Sequence, residues 1–150
     1  MQKLTQTETH DRVAKLITFY ETLTPGSIKD FSSLYSTNAR FKDPFNDVQG
    51  LPSIEKIFTH MFNQVGTPAF NVIRTICGES EAMLFWEFHF RFKGIPCKKL
   101  QRLEGVTHLV LEPTGLVGIH RDYWDAAEEL YSRLPVLGML MRGLQRMLRA

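Results

Sequence analysis

The spacing of apolar residues changes character once along this chain, near residue 69. Before that point they recur at helical intervals. Val13, Leu16, Ile17 and Tyr20 share one helical face. Thr5 and Glu8 have the spacing of a capping box, and Pro25-Gly26 stops the segment. Ser27 opens a second, short helix with Phe31, Leu34 and Tyr35 on one side. Asn38 to Phe45 reads as extended, because Pro44 steers Asp43 away from helical backbone. Gly50 and Pro52 introduce a third helix, whose stripe is Ile54, Ile57, Phe58, Met61, Phe62 and Val65; Gly66 and Pro68 end it.

Beyond residue 69 the period falls to two. Ala69 to Cys77 is rich in β-formers. Ala82 to Lys93 alternates, with Leu84, Trp86, Phe88, Phe90 and Phe92 on one face and Glu87, His89 and Arg91 on the other. Lys98 to Leu111 predicts a third long strand, entered through Gly94-Ile95-Pro96. Pro113-Thr114-Gly115 is a hairpin turn, and Leu116 to Trp124 a fourth strand. Asp125, with Glu128 three residues on, caps a short helix that breaks at Pro135. Val136 to Arg149 is again helical, with Leu137, Leu140, Met141, Leu144 and Leu148 on one face and Arg142, Arg146 and Arg149 mostly elsewhere.

Helices followed by antiparallel strands predict an α+β fold. Strands of roughly 10–14 residues are long against the usual ~5–6, and long twisted strands curl. Such a curved antiparallel sheet, packed against the N-terminal helices, would enclose an internal pocket. Residues 1–150 are expected to form one domain, with 126–150 as a C-terminal helical extension.

Composition narrows this little. Hydrophobic residues make up 43% and charged residues 23%, an ordinary globular balance with 11 Phe to line a core or cavity. A net charge of +2 is too small to argue for nucleic acid. Cys77 and Cys97 form no CxxC pair and no metal spacing, so no metal is expected. Met1 to Arg12 lacks an apolar signal core, and no stretch reaches the ~18 apolar residues of a membrane span. A reduced, cytoplasmic protein is the expectation. The basic C-terminal helix is expected to pack on its own domain or across a dimer and close the pocket mouth, with membrane contact the weaker alternative.

The order of elements, together with Gly26 to Leu34, Ala39-Arg40-Phe41-Lys42-Asp43-Pro44 and His120-Arg121-Asp122-Tyr123-Trp124-Asp125, resembles the nuclear transport factor 2-like superfamily over roughly residues 8 to 125. That superfamily includes ketosteroid isomerases and SnoaL-like polyketide cyclases. The resemblance implies a cone-shaped α+β barrel with an apolar pocket, commonly dimeric, holding a small hydrophobic ligand. Asp43 stands at the position of the ketosteroid isomerase base. The isomerase oxyanion donors fall on Phe19, with Tyr20 one residue away, and on Thr107; neither position keeps its donor, which argues against steroid isomerisation. The cyclases place a His on the third strand and an acid/base Asp on the fourth, and His108 and Asp122 match them.

An Asp in an apolar cavity has its pKa raised toward working pH, which suits Asp122 to general-base work. Asp122 read instead as a strand carboxylate faces solvent or pairs with Arg121 or Arg102. His108 and His120 share the parity of Asp122 and are expected on its side of the sheet; parity leaves open whether that side is the Trp86 side. Asp43 is either a second pocket acid or a turn residue bonding its own backbone. Trp86, Trp124, Phe45, Phe19 and Tyr20 are candidate substrate-binding rings, with core packing as the plainer reading. His60, His89 and Glu87 read as surface. The function implied is cofactor-independent isomerisation or cyclisation of a small hydrophobic carbonyl compound; the alternatives are a non-catalytic ligand-binding protein or a protein–protein module.

Overall fold

The computed structural model describes residues 3–94, 99–129 and 135–149. The Ile95-Pro96 turn, Cys97, the strand start at Lys98 and the approach to Pro135 lie outside them.

Helix α1 (Gln6–Glu21) begins at the expected capping box: Thr5 Oγ1 accepts from Glu8 N, and the Glu8 carboxylate accepts from Thr5 N at 2.9 Å. Its buried face is Thr9, Val13, Leu16 and Tyr20. The second helical segment is a 3-10 helix, Pro25–Ser33, starting two residues before Ser27 because Pro25 already has the fixed φ of a first turn. It buries Ile28 and Phe31. Strand β1 (Tyr35–Lys42) and the short β2 (Asp47–Gln49) follow. Gly50, at φ 94°, turns the chain into α2 (Leu51–Gln64), which buries Ile54 and Phe58.

Strand β3 (Val65–Cys77) starts directly at the end of α2, so Gly66 and Pro68 lie inside a strand rather than in a loop. Two facts allow this. β3 is an edge strand, so Pro68 need not donate to a neighbour on one side. The register with β4 (Glu81–Phe92) also slips between Gly66 and Ala69, around Thr67 at φ 50°. Strands β5 (Gln101–Leu111) and β6 (Val117–Tyr123) form a hairpin closed by Gly115 at φ 82°. Helices α3 (Ala126–Glu129) and α4 (Pro135–Leu148) end the chain. Asp125 Oδ1 accepts from Ala127 N and Glu128 N, as an N-cap should.

The six strands form one curved, unclosed sheet in the order β2-β1-β6-β5-β4-β3. All neighbours are antiparallel except β1 and β6, which run parallel. The antiparallel run expected from the sequence is β3 to β6, and the parallel pair joins β1 to its β6 edge. β6 returns to the side of β1 only after the chain has built β2 through β5, and so long a crossover permits parallel pairing. Ala82, Leu84, Trp86, Phe88 and Phe90 of β4 face the helices and are buried. Glu87 and His89 lie on the opposite, outer face, where Glu87 accepts from Arg102 and bonds His89.

The apolar arc of α4 is only partly covered. Leu137 and Met141 are half-buried, while Val136, Met139, Leu140, Leu144, Met147 and Leu148 are exposed. The helix therefore does not pack its whole stripe on its own domain.

Candidate active site

The helices and the inner face of the sheet enclose a cavity of about 520 Å³, within the usual range for small-ligand pockets. Its walls are largely apolar. Phe41 comes from β1, Phe58 and Met61 from α2, and Leu84, Trp86 and Phe88 from β4. Phe45 and Trp124 meet edge to face at 5.4 Å on the same cavity.

One continuous chain of polar side chains crosses one wall. Strand register places it: Thr107 pairs with Asp122, Leu84 pairs with Thr107, and Phe41 pairs with His120. Trp86 Nε1 donates to Thr107 Oγ1 at 2.8 Å. An indole N–H can only donate, so the Thr107 hydroxyl hydrogen goes onward, to Asp122 Oδ1. Asp122 Oδ1 also bonds His120 Nε2 at 2.9 Å. With Asp122 ionised, Nε2 must carry the hydrogen, which leaves Nδ1 as acceptor in a neutral ring. Tyr35 Oη lies 2.7 Å from Nδ1 and Tyr20 Oη 3.3 Å from it. The two tyrosine hydroxyls also bond each other. The consistent polarity runs Tyr20 to Tyr35 to His120, and from the other end Trp86 to Thr107 to Asp122.

His120 is 3% exposed. Its ring lies 4.7 Å from that of Phe41 and stacks on Tyr35 at 6.0 Å. Burial raises the Tyr20 hydroxyl well above its ordinary pKa of 10.0, and the neighbouring Tyr35 and the Asp122 charge push the same way. Tyr35 is also raised, by burial first and by Asp122, with its bond from Tyr20 opposing. Both phenols are therefore neutral donors at ordinary pH.

Asp122 Oδ1 thus takes two donors, whereas Oδ2 has no hydrogen-bond partner among the described residues. The side chain is 18% exposed and lines the cavity. One oxygen is anchored and the other is available to a ligand.

His108 is not part of this assembly, which corrects the expectation that it shares a face with Asp122. The hairpin register sets odd positions of β5 opposite even positions of β6, with a slip between Val110 and Leu111. Thr107 consequently faces Asp122, while His108 sits opposite Arg121 on the outer face and bonds Glu81 at 3.3 Å. His120 and Asp122 do lie on the Trp86 side. Asp43 borders the cavity, but its carboxylate is engaged in the turn: it accepts from Phe45 N, Asn46 N and Asn46 Nδ2. On α1 the cavity residue is Tyr20. Phe19 is not among the lining residues and packs edge to face on Phe31 at 5.0 Å.

Sequence reasoning set Tyr35 on the second helix with no role in the site, whereas it opens β1; His60, read as surface, is exposed and also borders the cavity. Tyr35 carried a signal. It shares odd parity with Ala39 and Phe41 on β1, and a tyrosine on the buried face of a strand needs a partner for its hydroxyl.

A family model for the SnoaL-like domain matches residues 16–117. His120 and Asp122 fall just beyond that stretch. No curated protein sequence matches the chain. Among solved structures, a putative SnoaL-like polyketide cyclase from Jannaschia sp. CCS1 is similar at a TM-score of 0.72 and 15% identity, covering 90% of this chain and 99% of its own. TsrD from Streptomyces laurentii superposes at 0.68 with 16% identity, over 90% and 98%. An LEH-like epoxide hydrolase from M. tuberculosis does so at 0.65 with 12% identity, over 95% and 96%. At such identities the likeness establishes the nuclear transport factor 2-like cone fold, which hosts unrelated chemistries. With the matched model spanning most of the domain, the chain belongs to the SnoaL-like domain family.

Proposed function

We propose that this protein is a cofactor-independent isomerase or cyclase that removes a proton from carbon beside the carbonyl of a small hydrophobic compound. The observation that carries the reading is the asymmetry of Asp122, a cavity-lining side chain with Oδ1 held by Thr107 and His120 and Oδ2 without a hydrogen-bond partner among the described residues. A general base needs a fixed orientation and one free lone pair, and this arrangement supplies both.

In this reading Asp122 Oδ2 accepts the carbon-bound proton. His120 is a positioning residue: its Nε2–H holds the carboxylate, and its Nδ1 is held by Tyr35. Of the two tyrosines in the chain only Tyr20 lines the cavity; its hydrogen goes to Tyr35 in the ligand-free arrangement, so it would meet a developing oxyanion by turning that hydrogen into the cavity, while Tyr35 keeps its bond to His120. The aromatic walls exclude water and hold the apolar body of the substrate. Asp43 shapes the wall through its turn.

The test is deuterium uptake next to the carbonyl of 2-indanone in D2O, followed by NMR. Wild-type protein should accelerate exchange above buffer. Asp122→Asn should lower the protein-dependent rate by roughly 10²–10⁴-fold. Exchange equal in wild type and variant overturns the assignment. Absence of exchange with 2-indanone still bound unaltered favours the ligand-binding alternative.

A further inference from the structure

The charge of the cavity says which ligands it admits. Among the described residues, the 21 that line it include two carboxylates, Asp43 and Asp122, and no Lys or Arg. Eight of the 21 are Phe, Tyr or Trp. The nearby cations are engaged elsewhere: Arg40 and Lys42 pair with Asp47, and the Arg121 guanidinium lies over the Tyr123 ring at 4.6 Å. Among the described residues Asp122 pairs with no Lys or Arg; its partner His120, neutral in this arrangement, donates to it through Nε2. A concave, low-dielectric wall carrying one sign of charge focuses that field inward. Ligands with a carboxylate or phosphate inside the cavity are disfavoured, and a cation is favoured.

The two carboxylates are not equivalent. The turn engages both oxygens of Asp43, Oδ1 by Phe45 N, Asn46 N and Asn46 Nδ2 and Oδ2 by Asn46 Nδ2. Asp122 Oδ2 keeps its acceptor capacity, in a cavity whose aromatic faces attract cations. An alkylated ammonium ion satisfies both. A trialkylammonium's single N–H supplies the donor that Oδ2 lacks, and its carbon substituents replace water with ring contacts.

We propose that the cavity binds apolar amines in their protonated form, with the ammonium N–H donating to Asp122 Oδ2 and the hydrocarbon body against the aromatic walls. This inference shares Asp122 with the proposed function but does not require proton abstraction from carbon.

The chain offers a direct reporter. Both of its tryptophans, Trp86 and Trp124, line the cavity, so intrinsic fluorescence reads occupancy. Three probes with one hydrocarbon frame separate charge from shape: N,N-dimethyl-2-aminoindane, indane and indane-2-carboxylate. The amine should bind wild-type protein at least about tenfold more tightly than the carboxylate. Asp122→Asn should lose about tenfold or more in amine affinity while indane binds as before. Equal or tighter binding of the carboxylate to wild type overturns the proposal, as does undiminished amine binding to Asp122→Asn. If the variant fails to fold, the wild-type amine-to-carboxylate ratio still decides. The exchange assay with 2-indanone is independent: a flat charge series with normal exchange defeats only this inference, and a steep series without exchange defeats only the enzymatic reading.

Discussion

The two faces of the β5–β6 hairpin each hold a histidine beside a carboxylate, and they differ in everything else. On the inner face His120 and Asp122 are 3% and 18% exposed, and both bond further groups, Tyr35 and Thr107. On the outer face His108 and Glu81 are 32% and 59% exposed, and among the described residues their side chains bond only each other. The chemistry of the pairs is the same, so residue type does not distinguish a site from surface. What distinguishes them is that desolvation makes each inner hydrogen bond obligatory and fixes its direction, whereas outside water can replace any partner.

The comparison can be broken most severely at His120. His120→Ala leaves a hole among Phe41, Tyr35 and Asp122 and removes one donor from the carboxylate. A loss of about 2–4 kcal/mol in unfolding free energy is expected, measured by denaturant titration. A loss below about 1 kcal/mol would show that the buried chain does not stabilise the fold.

Next in size is Gly105, which makes the chain possible from behind. An added Cβ would sit 2.4 Å from Trp86 Cζ2, so only glycine lets the indole lie across β5 and reach Thr107. Gly105→Ala should cost about 1–3 kcal/mol by overpacking and shift the tryptophan emission. An unchanged midpoint and spectrum would mean that the indole is not held there.

The tyrosines give a pH test. Tyr20 and Tyr35 have folded-state pKa values above the ordinary 10.0, because burial disfavours phenolate. Their contribution to stability is complete below pH 10 and is lost as pH rises through the raised values. Tyrosinate absorbance from these two should appear only together with unfolding. Ionisation at ordinary pH in folded protein would contradict the buried pair. The smallest effect belongs to the outer face, where His108→Ala should change stability by no more than about 0–1 kcal/mol.

Much of this was legible in the sequence, and the failures have physical reasons. Alternation in β4 revealed which face of Trp86 and Phe88 is buried, because a half-buried strand admits no other pattern. The Thr5–Glu8 cap and the Gly115 turn were equally local and equally visible. His108 was misplaced because its face depends on hairpin register, which a slip between Val110 and Leu111 sets and parity alone does not reveal. Tyr35 was missed because its partner His120 is 85 residues away, and the parallel β1–β6 pairing that joins them has no local signature. Asp43 was a close decision between acid and turn. Its bonds to Phe45 N and Asn46 N show that the local interaction is made.

Under the proposed function, proton chemistry resides on the inner pair and not on the outer one. Deuterium exchange into 2-indanone, run side by side for Asp122→Asn and Glu81→Gln, tests it most directly. A fall of roughly 10²–10⁴-fold is expected for Asp122→Asn and a rate within about twofold of wild type for Glu81→Gln. Equal rates for the two variants, or a comparable fall in Glu81→Gln, would contradict it.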